Sequence, residues 1–434
     1  MRSIKIGLIL SLAFAYGTYA DPFDFYCSGP LARSIGCTGI ALSEGYESTY
    51  LNPALISSKN KLGIGYIFAS QNVDVSLQNQ KLEKIGNPLE NVSLLHLGAS
   101  LRLSDLSFIF EKSNVLDNIS LGVSAVLPAT GRAVRVGTSD TKIPSTPMYG
   151  NRNTRLSTYI GLSGRIPLDN IRIYIGGGVH ALARLNIFVD ANLSPDRDLL
   201  GIDGFLKLLN GFLGGVAFEL DQETFFLRFG AVIRTPVQTE IPTEVNVNIA
   251  GETALKLVAS LIEHYTPTYF GGGIGGGIKS SSLKISVGAD ILQYKFTDLK
   301  LPLLKIQEVS PEEIRGILPS HSTPEFQDVI VIKGGLSTDI YDIIGEADIL
   351  AGAGVSLFPS PLKSQNGTLF VDSDRLTISG GLGTRFKSPG IVKGEIEFIL
   401  SGGIQMLSKK EFSDTQTSIE GTLPIISGTL NVLF

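Results

Sequence analysis

The sequence predicts an all-β protein, a 14-stranded antiparallel transmembrane β-barrel. Three observations predict it. Long segments alternate between apolar and polar residues, short and long connections alternate along the chain, and the N-terminus is built like a secretory signal.

At the N-terminus, Arg2 and Lys5 precede an uncharged apolar run over residues 6–16. Thr18-Tyr19-Ala20 then places small residues at the two positions a signal peptidase reads. The run is too short for a helix that spans a bilayer, which takes about 20 apolar residues. Asp21-Pro22 breaks the chain immediately afterwards. Residues 1–20 are therefore expected to be a cleaved signal peptide, cut after Ala20, with Ala13-Phe14-Ala15 as a second candidate site. Asp24-Phe25-Tyr26 lacks the small residues that a lipid-anchor signal needs before Cys27.

Cys27 and Cys37 are the only cysteines. In an oxidising compartment their simplest reading is one small disulfide loop with a structural role. Zinc would need more ligands, and no His occurs in the first 90 residues. No metal site and no cofactor are expected.

Beyond residue 20 no composition break divides the chain. Hydrophobic residues make up 43% and charged residues 18%, below the roughly 25% charged of soluble domains. No later stretch approaches 18 uncharged apolar residues, which excludes a bundle of membrane helices. Net charge is −5, or −7 without Arg2 and Lys5, and no basic stripe points to nucleic acid.

The strands follow. Leu95, Leu97, Ala99, Leu101 and Leu103 alternate with His96, Gly98, Ser100 and Arg102. Phe225, Leu227, Phe229, Ala231 and Ile233 alternate with Phe226, Arg228, Gly230, Val232 and Arg234. Soluble sandwiches also alternate, so length decides. These segments run about 10 to 15 residues, against the usual five or six of globular sheets, and that suffices to cross a membrane when tilted.

Tight polar turns are read at Pro167-Leu168-Asp169-Asn170, Asp221-Gln222-Glu223, Ser280-Ser281-Ser282 and Ser388-Pro389-Gly390. Longer connections fall near 71–91, 131–155, 191–211, 239–265, 298–327, 361–373 and 407–422. The connection near 104–118 should be short by this count and is not. The last strand alternates up to a terminal Phe434, and 13 Tyr and 22 Phe must serve as interface anchors because Trp is absent.

Three loops read as partly helical. Ser194-Pro195 and Ser310-Pro311 set a cap before a proline, and Glu313 completes a capping box with Ser310. Leu199, Ile202, Phe205, Leu206, Leu209 and Phe212 recur at helical spacing, and residues 252–263 read as a short amphipathic helix. On external loops these would form an apolar surface near the mouth.

The segment before the first strand carries a resemblance. Gly39-Ile40-Ala41-Leu42-Ser43-Glu44-Gly45 is followed by Tyr50-Leu51-Asn52-Pro53-Ala54-Leu55-Ile56. This resembles the N-terminal hatch of the long-chain fatty-acid outer-membrane transport family, which includes aromatic-hydrocarbon uptake channels. Phe229 to Val237, with Arg234-Thr235-Pro236-Val237, is similar to the family's strand ending in Arg-Ser-Pro-Val. Val371-Asp372-Ser373-Asp374-Arg375 is similar to its Pro-Asp-x-Asp-Arg loop.

The resemblance implies residues 21–60 as a hatch inside a barrel of residues 61–434, with short helices in external loops. It implies a bacterial outer-membrane channel for long-chain fatty acids or hydrocarbons, released sideways through a gap at a kink in the third strand. Asn52, Pro53 and Ala54 would then be the hatch segment near that kink. The third strand should cover residues 119–130, with Pro128 near its outer end as the candidate gate. Cys27 and Cys37 depart from the family pattern and would staple the hatch.

Ligand-contacting residues are not assigned, although Arg102, Arg172, Arg228 and Arg234 are candidate carboxylate partners. The expected partners are outer-membrane lipid, a hydrophobic small-molecule ligand and the barrel-assembly machinery. The chain is expected to be a monomer and not an enzyme, since no Gly-x-Ser-x-Gly, phosphate loop or clustered ligand set occurs. The alternative is a hatch-bearing barrel that serves as a structural or secretion-system scaffold. A general porin is disfavoured, because a hatch would block an aqueous pore.

Overall fold

A computed structural model describes residues 21–78, 80–81, 91–106, 115–129, 144, 146, 156–193, 198–249, 252–299, 304–310, 323–343, 347–387 and 394–434. The expected signal peptide, the Ser388-Pro389-Gly390 turn, Ser194-Pro195 and Glu313 lie outside them.

Fourteen strands form the wall. They are β1 (Lys61–Ala69), β2 (Val92–Arg102), β3 (Ile119–Pro128), β4 (Ser157–Leu168), β5 (Ile171–Leu193), β6 (Asp198–Asp221) and β7 (Phe225–Arg234). Then come β8 (Thr268–Lys279), β9 (Leu283–Lys295), β10 (Val329–Ile340), β11 (Ala347–Phe358), β12 (Arg375–Lys387), β13 (Glu395–Phe412) and β14 (Thr417–Leu433). Each pairs antiparallel with the next. The sheet closes where β14 returns to β1, from Lys61↔Leu433 to Ala69↔Ile425. Closure matters because lipid offers no partner to an open strand edge.

The alternation resolves into an inside-out barrel. On β7, Phe229 and Ile233 face outward at 46% and 44% exposure, while Arg228 and Arg234 face inward at 7% and 0%. A soluble sandwich would bury the opposite set. An apolar outer belt is what a bilayer accepts.

Tight turns join β4 to β5, β6 to β7 and β8 to β9, as the sequence indicates. At the other end the strands run on as hairpins. Val237–Ile249 pairs with Glu252–Thr266, and the latter pairs with Leu304–Ser310.

This corrects the helical reading of residues 199–212 and 252–263. The first belongs to β6, zipped to β5 up to Leu193↔Asp198, and the second lies in a strand. Apolar residues are so dense in 199–212 that periods of 2 and 3.6 both fit. Gly201, Gly204 and Gly211 weaken a helix, while continuing the ladder keeps every amide partnered. The long connection at 104–118 contains two 3-10 turns, Leu103–Leu106 and Leu116–Asn118.

Residues 21–60 lie inside the barrel. They form three short helices, α1 (Pro22–Tyr26), α2 (Pro30–Ser34) and α3 (Ser48–Leu51), with 3-10 turns at Gly45–Glu47 and Pro53–Ser58. Pro22 and Pro30 start their helices where a missing N–H costs nothing. Cys27 and Cys37 are joined as a disulfide across α2.

Candidate functional site in the barrel lumen

The lumen is built from the inward-facing residues of the wall and the N-terminal segment they grip. The grip runs around the circumference. Asp290 on β9 accepts from the Gly39 and Ile40 amides at 2.7 and 3.1 Å. Arg228 on β7 donates to Ala41 O at 3.1 Å while ion-paired to Glu219 on β6. Gln405 on β13 donates to Phe25 O at 2.8 Å, and Tyr46 donates to Asn431 on β14 at 2.8 Å. Glu397 is held between Lys61 at 3.1 Å and Arg385 at 2.9 Å.

Close approach needs bare backbone on the wall. A Cβ on Gly230 would strike Ile40, and one on Gly335 would strike Ile35. The glycines scattered through the sequence include seats for the segment.

Toward the long-connection end the lumen is aromatic. Arg234 is fully buried there, paired to Asp24 at 2.9 Å, and it accompanies Tyr159 at 3.2 Å and the Tyr269 ring at 4.5 Å. Tyr50 and Tyr294 donate to the other Asp24 oxygen at 2.5 and 3.2 Å. Phe23 packs at 5.0 Å from Tyr159, and Tyr294 at 5.4 Å from Phe358. A cation among electron-rich faces, with its carboxylate fully hydrogen-bonded, is a tolerated way to bury charge.

Asp21 sits beside this cluster, taking Ser157 Oγ and His180 Nε2 at 2.9 Å each. Burial would raise its carboxyl, but His180 and Arg234 outweigh burial and hold it below the usual carboxylate range. The trio is not a catalytic relay. Ser157 and Asp21 both meet Nε2, whereas a relay needs the acid on Nδ1.

The residues singled out from sequence are separated by the fold. Asn52 donates to Ile40 O at 2.7 Å and Val216 O at 3.3 Å, and accepts from Ala54 N at 3.1 Å. Pro53 lies over Gly176 of β5, and Ala54 packs with Tyr174 and Ala217. The triplet therefore rests on β5, β6 and β7, not beside the third strand. Its position follows from Asn52, whose side-chain amide lies over the bare Gly215 and reaches Val216 O. Thr49 and Ile56 are the residues that meet β3, at Gly122.

Pro128 is buried at the outer end of β3 opposite Leu94, and Ala129 N bonds Ser93 O at 2.9 Å beyond it. β3 is paired without register shift to β2 and, from Ile119 to Val126, to β4. Among the described residues the wall has no gap there. Arg172, Arg228 and Arg234 each already hold a carboxylate. Sequence reasoning missed Asp24 and Asp290. Only Asp290 carried a signal, as an acid on the polar face of an alternating strand.

No family model and no curated protein matches this chain. Among solved structures it is similar to a Pseudomonas aeruginosa FadL homologue, at 13% identity and a TM-score of 0.51, over 93% of this chain and 98% of the other. Two toluene transporters are also similar, TodX of Pseudomonas putida and TbuX of Ralstonia pickettii, at 13% and 11% identity and TM-scores of 0.45 and 0.46. They cover 94% of this chain and 98% of each relative. At this identity the FadL homologue establishes the fold.

Proposed function

We propose that this barrel is an outer-membrane channel for hydrophobic molecules, long-chain fatty acids or hydrocarbons, with residues 21–60 acting as its hatch. The observation that carries the reading is the axial division of the lumen. Buried aromatic side chains crowd the end with long connections, around the neutralised Arg234–Asp24 pair, and most of the cavity-lining charged side chains stand at the end with tight turns. A greasy ligand captured outside meets apolar surface first, and the gripped segment bars a through path. The shared fold with the FadL homologue supports the same reading.

Release is sideways in this proposal. Among the described residues the β3–β4 pairing ends at Val126↔Ser157, and Pro128 beyond it has no N–H to give. The β3–β4 seam is weakest at that end and is where the wall would part.

The unbroken pairing of β3 favours the second reading, a hatch-bearing scaffold that does not open. Uptake of labelled oleate and labelled toluene by cells lacking other routes separates the two. Expression of the full chain is expected to confer uptake of at least one. If neither enters above the background of the empty barrel-free strain, the scaffold reading replaces the channel.

A further inference from the structure

At the tight-turn end, the N-terminal segment and the wall enclose a cavity of about 160 Å³. Part of its lining is apolar, from Leu31, Ile35, Leu42 and Phe226. Three buried side chains on its wall each keep an oxygen with no hydrogen-bond partner among the described residues. They are Thr38, Ser43 and Glu47, at 1%, 5% and 1% exposure. Lys59 also lines it and forms no ion pair among the described residues. Buried polar atoms are normally satisfied, so three orphans on one cavity ask for an occupant.

All four groups can donate. Hydroxyl and ammonium are donors, and Glu47 donates when protonated. Its carboxyl is raised to about 7 by burial, with Glu397 and Glu44 adding to the effect and Lys61 opposing it. Of the neighbouring acids, Glu397 is engaged by Lys61 and Arg385, and Glu44 by Lys284 at 3.8 Å, while Asp339 lines the cavity half-buried, without an ion pair among the described residues. Lys284 and Glu44 are 29% and 32% exposed, so the cavity reaches solvent at their edge. As for size, an engineered cavity of about 150 Å³ accepts benzene.

We propose that this cavity binds a small amphipathic carboxylate of about benzoate size, its ring on Leu31, Ile35, Leu42 and Phe226 and its carboxylate among Thr38, Ser43 and Lys59. The site is separate from the aromatic cluster and stands on the cavity alone, whether or not the barrel performs uptake. Water is the competing occupant, since a polar cavity of this volume also holds a few molecules.

Isothermal titration calorimetry of the full-length purified barrel in detergent tests it, with sodium benzoate as ligand and benzyl alcohol as its neutral isostere. Benzoate is expected to bind saturably at one site, at least about tenfold tighter than benzyl alcohol. Lys59→Met and the double variant Thr38→Val/Ser43→Ala should each weaken benzoate about tenfold without changing gel mobility of the unheated barrel. Equal affinity for the alcohol, or no saturable heat at millimolar benzoate, overturns the proposal and leaves the cavity to water. If Lys59→Met does not fold, the hydroxyl variant and the isostere comparison still decide.

Discussion

Asn52 ties three separate backbone points together, Ile40 O, Val216 O and Ala54 N, and so fixes the N-terminal segment to itself and to β6. Asn52→Ala takes the side-chain donor from the buried Ile40 carbonyl and the acceptor from the Ala54 amide, a loss of about 1–3 kcal/mol. Hydrogen exchange read by mass spectrometry should then show residues 40–54 losing protection while the wall keeps its own. Unchanged protection in that segment would refute the role.

Glu47 supplies a pH-dependent counterpart. Its carboxyl titrates near 7 in the folded hatch, against 4.5 for a free glutamate. The folded state therefore holds a proton that the undocked state has lost, and stability falls as pH rises from about 4.5 through 7. Protection of residues 40–54 should decline across that window, and less steeply in Glu47→Gln. The Asn-Pro-Ala motif was legible at this scale because it is local. Asp24 and its pairing with Arg234 were not, since the pair spans 210 residues and neither flanking sequence announces the other.

Among elements, the N-terminal segment and the wall fit each other through backbone rather than side-chain bulk. Gly335 sits under Ile35 and Gly230 under Ile40, so a branched side chain at either seat forces the segment outward. Gly335→Val should leave the barrel folded, since valine suits a strand, yet make α2 accessible to added protease; continued resistance would show that the seat tolerates bulk.

The disulfide belongs to the same element. Cys27 and Cys37 close a loop that contains α2, and no free cysteine remains. Alkylation of the native protein should find no thiol until reductant is added, when it should find two. A free thiol before reduction contradicts the staple. Most wall strands were legible because inward polar and outward apolar residues repeat every second position. The outer part of the β5–β6 hairpin was not, because apolar residues in 199–212 are dense enough to fit both a strand and a helix period. The hatch helices were equally hidden: at four or five residues they are too short to show a helical period.

For the whole molecule, the inside-out pattern and the closure of β14 on β1 decide what kind of object this is, and the sequence conveyed both through strand length and the rhythm of its turns. What it could not convey is whether the wall opens. Releasing a long acyl chain into water costs about 0.8 kcal/mol per exposed methylene, so a channel for such ligands gains by emptying into lipid. In the proposed channel the candidate seam is the outer end of β3, where the described pairing to β4 ends at Val126↔Ser157. Ala125 and Thr158 are register partners just inside that end. Ala125→Cys with Thr158→Cys should therefore staple the seam when oxidised and free it when reduced, with wild type under the same reductant as the control for opening of Cys27–Cys37. Under lateral release, cells carrying the oxidised variant take up labelled oleate far more slowly than those carrying wild type, and reductant restores the rate. Uptake that is equally fast with the staple closed means the ligand leaves by another route, and the hatch itself must move.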